Sequence, residues 1–256
     1  MRRAGSPVFN RYNSDVDSFP AAPALCSDVI HIVSCRLDAI PADAARLLND
    51  TERERAERFV FEPHRRRYVS AHAHLRQVLG RCTGVPPASL RFASAPNGKP
   101  HLVEEDKPTR VRFNLSHSGE RALIAVTLDR EVGVDVEAER SFDDLMEVAR
   151  RFFSTGEVAA LAALAPAARP AAFFRCWTRK EAFVKAVGDG LRYPIAHVDV
   201  PLDAGATCVV TSASPRRSTW RIVDVPMDAP YVAALAAEED DWRIQVWDGS
   251  DPSAPA

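Results

Sequence analysis

Disulfide-forming cysteine and long apolar runs are what this sequence has least of. Its five cysteines, Cys26, Cys35, Cys82, Cys176 and Cys208, are odd in number and include no CxxC pair. That pattern excludes a disulfide framework and a zinc knuckle, and it fits a reducing, cytoplasmic setting. No stretch approaches the ~18 consecutive apolar residues of a membrane span. The basic start, MRRAGSPVFNRYNSDVDSFPAAPALC, has no continuous apolar run behind it, so neither a signal peptide nor a membrane anchor is expected. Charge of one sign is missing too: 33 Lys and Arg against 35 Asp and Glu leave a formal charge of -2. A strongly basic nucleic-acid binder is excluded, and any electrostatic function must come from local clustering.

What remains is a chain of 256 residues, 46% hydrophobic and 27% charged, the composition of a globular protein of one or two domains with a sizeable core. Pro, Ser, Asn and Asp predict a loose arm over residues 1–27, and the closing DGSDPSAPA predicts a flexible tail over 249–256. Between them one layout occurs twice. DVIHIVSCRL alternates like a strand, ADAARLLNDTERERAERF and RRRYVSAHAHLRQVLGRC read as helices, and VRFNLSHSGERALIAVTL reads as a hairpin. GVDVE then reads as a strand, FDDLMEVARRFFSTGEVAALAAL and PAAFFRCWTRKEAFVKAVG as helices, and TWRIVDVPMDAPYVAALAAE as strand, turn, strand. This predicts an α+β fold of two similar lobes, an N-terminal one over 28–130 and a C-terminal one over 131–248, with a ligand site between them.

The strand GVDVE puts Val132, Val134 and Val136 on one face and Asp135 and Glu137 on the other, with the two acids' Cα atoms roughly 7 Å apart. Two acids on one face repel each other. Either they point into water or something positive sits between them. In WTRKEAFVKAVGDGL, Glu181 and Lys185 are four apart and share a helix face, which by itself is also the pattern of a solvated ion pair. Three acids without His or Cys alongside suit Mg²⁺, a hard cation that takes oxygen ligands.

GVDVE and WTRKEAFVKAVGDGL, with FFSTGE between them and GKP and FNLSHSG ahead, together resemble the surfactin-synthetase-activating type of 4'-phosphopantetheinyl transferase, over roughly Leu48 to Pro194. The resemblance implies a pseudo-dimer of two α+β lobes that binds coenzyme A and Mg²⁺ in the cleft between them. Such an enzyme transfers the phosphopantetheine arm to a serine hydroxyl of an apo acyl or peptidyl carrier protein and releases adenosine 3',5'-bisphosphate. It implies Asp135 and Glu181 as metal ligands, with Glu137 ligating directly or through water. Glu181 or Glu137 accepts the serine proton, and Lys185 neutralises or protonates the leaving phosphate. Coenzyme contacts are implied for Lys99, Ser116, His117 and Lys185, and for Arg55 and Arg67 at the 3'-phosphate. One departure stands out: where some relatives carry a further lysine one turn before Arg55, this chain has Thr51 and Glu52. The length fits the two-lobed, monomeric members, which serve polyketide, nonribosomal-peptide, fatty-acid and lysine-biosynthesis carriers.

Plainer readings accompany these. NLSHSG and NGKP are good turn chemistry, and Arg53 and Arg58 belong to Glu and Arg pairs on a charged helix face. His72 and His74, two apart on a helix, point to different sides and are not a chelating pair, which leaves His72 free to face the coenzyme. Phe152, Phe153, Phe173, Phe174 and Trp177 fall at helical spacings expected of core, and Ser154 with Glu157 has the look of a capping box. The competing functions are a Mg²⁺-dependent phosphohydrolase of coenzyme A or a nucleotide, and a non-catalytic module that binds carrier proteins or nucleotides. A nucleic-acid binder using the arginine-rich helices is disfavoured by their matching glutamates.

Overall fold

A computed structural model describes residues 17–38, 40–41, 43–212 and 218–249. In chain order its elements are β1 (Val29–Arg36), α1 (Ala44–Leu47), α2 (Asp50–Glu57), α3 (Glu62–Thr83), β2 (Arg91–Ser94), β3 (Pro100–Glu104), β4 (Lys107–Pro108), β5 (Val111–Ser118), β6 (Arg121–Leu128) and β7 (Val132–Ala138). There follow α4 (Leu145–Phe152), α5 (Thr155–Ala163), α6 (Arg169–Val187), β8 (Cys208–Ser212), β9 (Ser218–Val225), β10 (Tyr231–Glu238) and β11 (Arg243–Asp248). The fold is mixed α+β, as the sequence pattern predicts. ADAARLLNDTERERAERF, read as one helix, is two. Asn49 interrupts it because its side chain accepts the Glu52 N–H at 2.9 Å while Glu52 accepts the Asn49 N–H at 2.9 Å, a reciprocal cap that starts a new helix. α3 stops at Gly84, whose φ of 73° lies in the left-handed region that glycine adopts at little cost.

Two four-stranded sheets carry the architecture, ordered β11-β1-β6-β5 and β7-β10-β9-β8, with a small flap β2-β3-β4 beside them. In each, the first strand pairs antiparallel with the second strand of a later hairpin, β1 with β6 and β7 with β10. Strand alternation sorts the apolar residues into layers. Val33, Cys35, Ile124 and Val126 pack with Ala71, Leu75 and Leu79 of α3. On the other sheet Trp220, Ile222, Ala234 and Ala236 pack with Phe173, Phe174, Ala182 and Phe183 of α6. Ile32, Leu123, Val132, Val134, Val136, Val223 and Leu235 fill the space between the sheets. The order is therefore helix, sheet, sheet, helix. The aromatic residues at helical spacing, Phe153, Phe173 and Phe174, are core.

With the three valines of β7 turned inward between the sheets, Gly133, Asp135 and Glu137 face α6. The helix lies directly on the strand at Gly133, where an added Cβ would stand 2.2 Å from the Ala182 carbonyl oxygen and 2.3 Å from the Ala186 nitrogen. Both are backbone atoms and cannot swing away. Gly133→Ala is expected to destabilise by about 3 kcal/mol, the upper end of ordinary overpacking costs, read as a lower urea midpoint. An unchanged midpoint would mean that α6 is free to lift from β7.

Two features depart from the layout read in the sequence. β11, at the end of the stretch assigned to the second lobe, lies in the first sheet, parallel to β1, with Val29 opposite Arg243 and Ser34 opposite Asp248. Residues 17–19 of the expected loose arm are pinned beside it. The Phe19 N–H donates to Asp248 O at 3.1 Å, the Asp248 N–H donates to Asp17 O at 3.1 Å, and the Phe19 ring is buried against His31 and Trp247. Residues 1–16 of that arm and the tail from 250 lie outside the described residues, whereas 20–27 are described and lead into β1.

Candidate active site

β5 and β7 are outer strands of their respective sheets, and they lie side by side where the two sheets meet. Side chains at alternate positions of β5 reach across. Asn114 Oδ1 accepts the Val134 N–H at 2.9 Å, Ser116 Oγ accepts the Val136 N–H at 3.4 Å and Ser118 Oγ accepts the Ala138 N–H at 3.2 Å.

Asp135 and Glu137 meet these groups and α6. Asp135 Oδ1 accepts from the Ser116 hydroxyl at 2.8 Å and from the Lys185 ammonium at 2.5 Å, and Lys185 also donates to Ser116 Oγ at 2.9 Å. Glu137 Oε2 accepts from the Ser118 hydroxyl at 2.7 Å. Glu181 sits one helical turn before Lys185 and has no hydrogen-bond partner among the described residues. Burial pushes all three carboxyls above the usual carboxylate range, and for Glu181 the charges of Asp135 and Glu137 push further, against the pull of Lys185. Asp135 and Glu137 lie near enough to Glu181 for their charges to act on it, and the positive group standing against Asp135 is Lys185.

Among the described residues no three carboxylate, imidazole or thiolate groups stand close enough together to make a ready metal centre. The donor set nevertheless suits a hard divalent cation. Asp135 Oδ2 is buried without a hydrogen-bond partner, and the acids that crowd it offer oxygen ligands whose repulsion a cation relieves.

A positive region faces the acids from the first lobe. His117 projects from the opposite face of β5, toward α3. The residue is exposed, yet the protein packed around its imidazole, and then the neighbouring basic groups of His72, Lys185 and Arg67, hold it below its usual range. The Arg55 guanidinium lies 5.8 Å from the centre of the Tyr68 ring, which in turn sits 4.1 Å from the ring of His72. Glu52, the departure noted in the sequence, is taken up internally. Its carboxylate accepts from Arg76 Nε at 2.7 Å and lies 3.3 Å from His72 Nδ1. Arg55, Arg67 and Lys185 are the cations of this region, with the imidazoles of His72 and His117 beside them.

Two residues read as coenzyme contacts are engaged elsewhere. Lys99 Nζ donates to Glu131 Oε2 at 2.8 Å, to Val132 O at 3.0 Å and to Ala186 O at 2.8 Å, so its three protons clasp the flap to the second lobe. Burial lowers its pKa, with Glu131 opposing. A cavity of about 500 Å³ opens beside this clasp, lined among others by Pro96, Arg112, Phe113 and Trp220. Ser116 gives its one proton to Asp135. Lys180, the neighbour of Glu181, belongs to the core: it is fully buried and paired at 2.7 Å with Glu157, the α5 residue that completes the capping box with Ser154. Asn114 and Ser118 were missed by the sequence reading, although the alternation N-x-S-x-S within FNLSHSG marks one polar strand face.

Comparison with known proteins places this geometry. Residues 41–129 match the family model described as 4'-phosphopantetheinyl transferase, N-terminal, and residues 131–236 match that of the 4'-phosphopantetheinyl transferase superfamily. The chain is 34% identical over 231 residues to the 4'-phosphopantetheinyl transferase HetI of a Nostoc species, spanning 89% of this chain and 95% of that protein. It is 28% identical over 195 residues to the 4'-phosphopantetheinyl transferase Sfp of Bacillus subtilis, spanning 76% of this chain and 84% of that protein. With the L-aminoadipate-semialdehyde dehydrogenase-phosphopantetheinyl transferase of Xenopus laevis it shares 25% over 212 residues, 77% of this chain and 70% of that protein. Since the two family models together span residues 41–129 and 131–236 and the likeness to HetI runs along most of both chains, the chain belongs to the 4'-phosphopantetheinyl transferase superfamily and is an enzyme of that type.

Proposed function

We propose that this enzyme transfers the 4'-phosphopantetheine arm of coenzyme A to a serine hydroxyl of an apo acyl or peptidyl carrier protein, with Mg²⁺, and releases adenosine 3',5'-bisphosphate. The observation that carries the reading is the single seam at which one buried and two half-buried carboxylates, an ammonium held against the buried one and a group of basic side chains meet. A substrate with a diphosphate and a separate 3'-phosphate has use for all three. Arg55, Arg67, His72 and His117 supply donors for phosphate oxygens, and Lys185 stands where a leaving phosphate gathers charge. Glu181 is the proton acceptor we assign. It has no hydrogen-bond partner among the described residues, whereas one oxygen of Glu137 is already occupied by Ser118. Mg²⁺, held by Asp135, Glu137 and Glu181, would neutralise charge on the phosphates when bound. In this reading the two lobes form a pseudo-dimer within one chain, which works as a cytoplasmic monomer.

Intact mass spectrometry of apo carrier proteins incubated with the enzyme, coenzyme A and Mg²⁺ tests the proposal. One added phosphopantetheine, abolished by a chelator, is the expected result. Cleavage of coenzyme A with no gain on any carrier would replace transfer by hydrolysis.

A further inference from the structure

We propose that Ser118 is a positioning residue for Glu137, the outermost rung of a side-chain ladder, Asn114, Ser116 and Ser118, that aligns the first lobe's edge strand with the acid-bearing edge of the second. The inference rests on the functional reading above. Exposed strand edges offer a row of unpaired backbone groups. Here the β7 edge is met by side chains, because each of the three rungs accepts one alternate N–H of that strand. A hydroxyl has one proton and two lone pairs. Each serine therefore takes an N–H with a lone pair and still has its proton for the neighbouring carboxylate, Ser116 for Asp135 and Ser118 for Glu137.

The two rungs differ in what else holds the acid. Asp135 is also gripped by Lys185. Glu137 has a longer side chain, and the Ser118 hydroxyl is the one hydrogen-bond partner it has among the described residues. A charge-assisted O–H···O⁻ bond at 2.7 Å is a strong one, and fixing Oε2 aims Oε1 at the space shared with Asp135 and Glu181. Without it the carboxylate is free to turn through its rotamers, and the acid set opens. The spacing of the acids is thereby set from the opposite lobe.

The test compares Ser118→Ala and Ser118→Thr with the wild type in carrier modification, in Mn²⁺ titration followed by paramagnetic resonance, and in thermal unfolding. Ser118→Ala is expected to lower kcat and weaken Mn²⁺ binding by roughly 10- to 100-fold, the range seen when a residue supporting a metal ligand is removed, with KM for coenzyme A within about twofold. Ser118→Thr keeps the hydroxyl on a strand that tolerates β-branching and is expected to recover both. Equal losses in the two variants, full kcat in Ser118→Ala, or a lowered Tm with unchanged turnover per folded molecule would each overturn the assignment. If the wild type itself modifies no carrier, the functional reading fails instead.

Discussion

Asp135→Ala is expected to lower carrier modification by about 10³-fold or more, corresponding to about 4 kcal/mol of transition-state stabilisation, while the fold survives. Asp135 receives both the Ser116 hydroxyl and the Lys185 ammonium, so its loss leaves the lysine without its carboxylate partner and, on the proposed reading, removes a metal ligand. The fold should tolerate the change for a reason visible in the acid itself. Burial disfavours its charged form, so the native state gains little from that charge, and Lys185, with its side chain 29% exposed, can turn to water or to Glu181. Activity by mass spectrometry and Tm by circular dichroism separate the two effects. Retained turnover would remove Asp135 from the site, whereas a collapse of Tm would make it a structural residue.

Glu157→Ala is expected to act in the opposite sense, costing about 3–5 kcal/mol of stability, the usual loss when one partner of a buried ion pair is removed. Glu157 is 4% exposed and Lys180 is 0% exposed. One carboxylate oxygen accepts the Val200 N–H at 2.8 Å and the other accepts the Ser154 N–H at 2.7 Å, beside the Lys180 ammonium. Truncation strands a buried cation and removes the side-chain half of the α5 capping box together. Urea denaturation should show the loss, and the double variant Glu157→Gln with Lys180→Met should recover much of it, since an apolar replacement of a buried pair is often tolerated. A single-variant loss below about 1 kcal/mol would show that Lys180 finds another way to satisfy its charge.

Much of the site was legible because strand and helix periods are strict. GVDVE could place its valines and its acids on only two faces, and a four-residue spacing could only stack Glu181 on Lys185. The capping box of Ser154 and Glu157 was legible for the same reason, being local chemistry. What the sequence hid was long-range. Lys99 sits in a turn whose sequence says nothing of Glu131, Val132 or Ala186, which its ammonium binds. WRIQVWD carries no signal that it will leave the lobe it follows and pair with β1. The polar alternation of NLSHS was visible, but its meaning depended on which strand would lie opposite.

The parallel pairing of β11 with β1 joins the first strand of the fold to the last. On the ribosome, β1, α3 and β6 emerge early, yet the far edge of β1 stays open until Arg243–Asp248 have been made. Contacts this distant along the chain carry the largest loop-closure cost and slow folding. The amino-terminal half of the protein is therefore expected to wait, partly formed and with a bare strand edge, for the last strand to arrive. Over that interval the nascent chain is most open to aggregation and most in need of a chaperone.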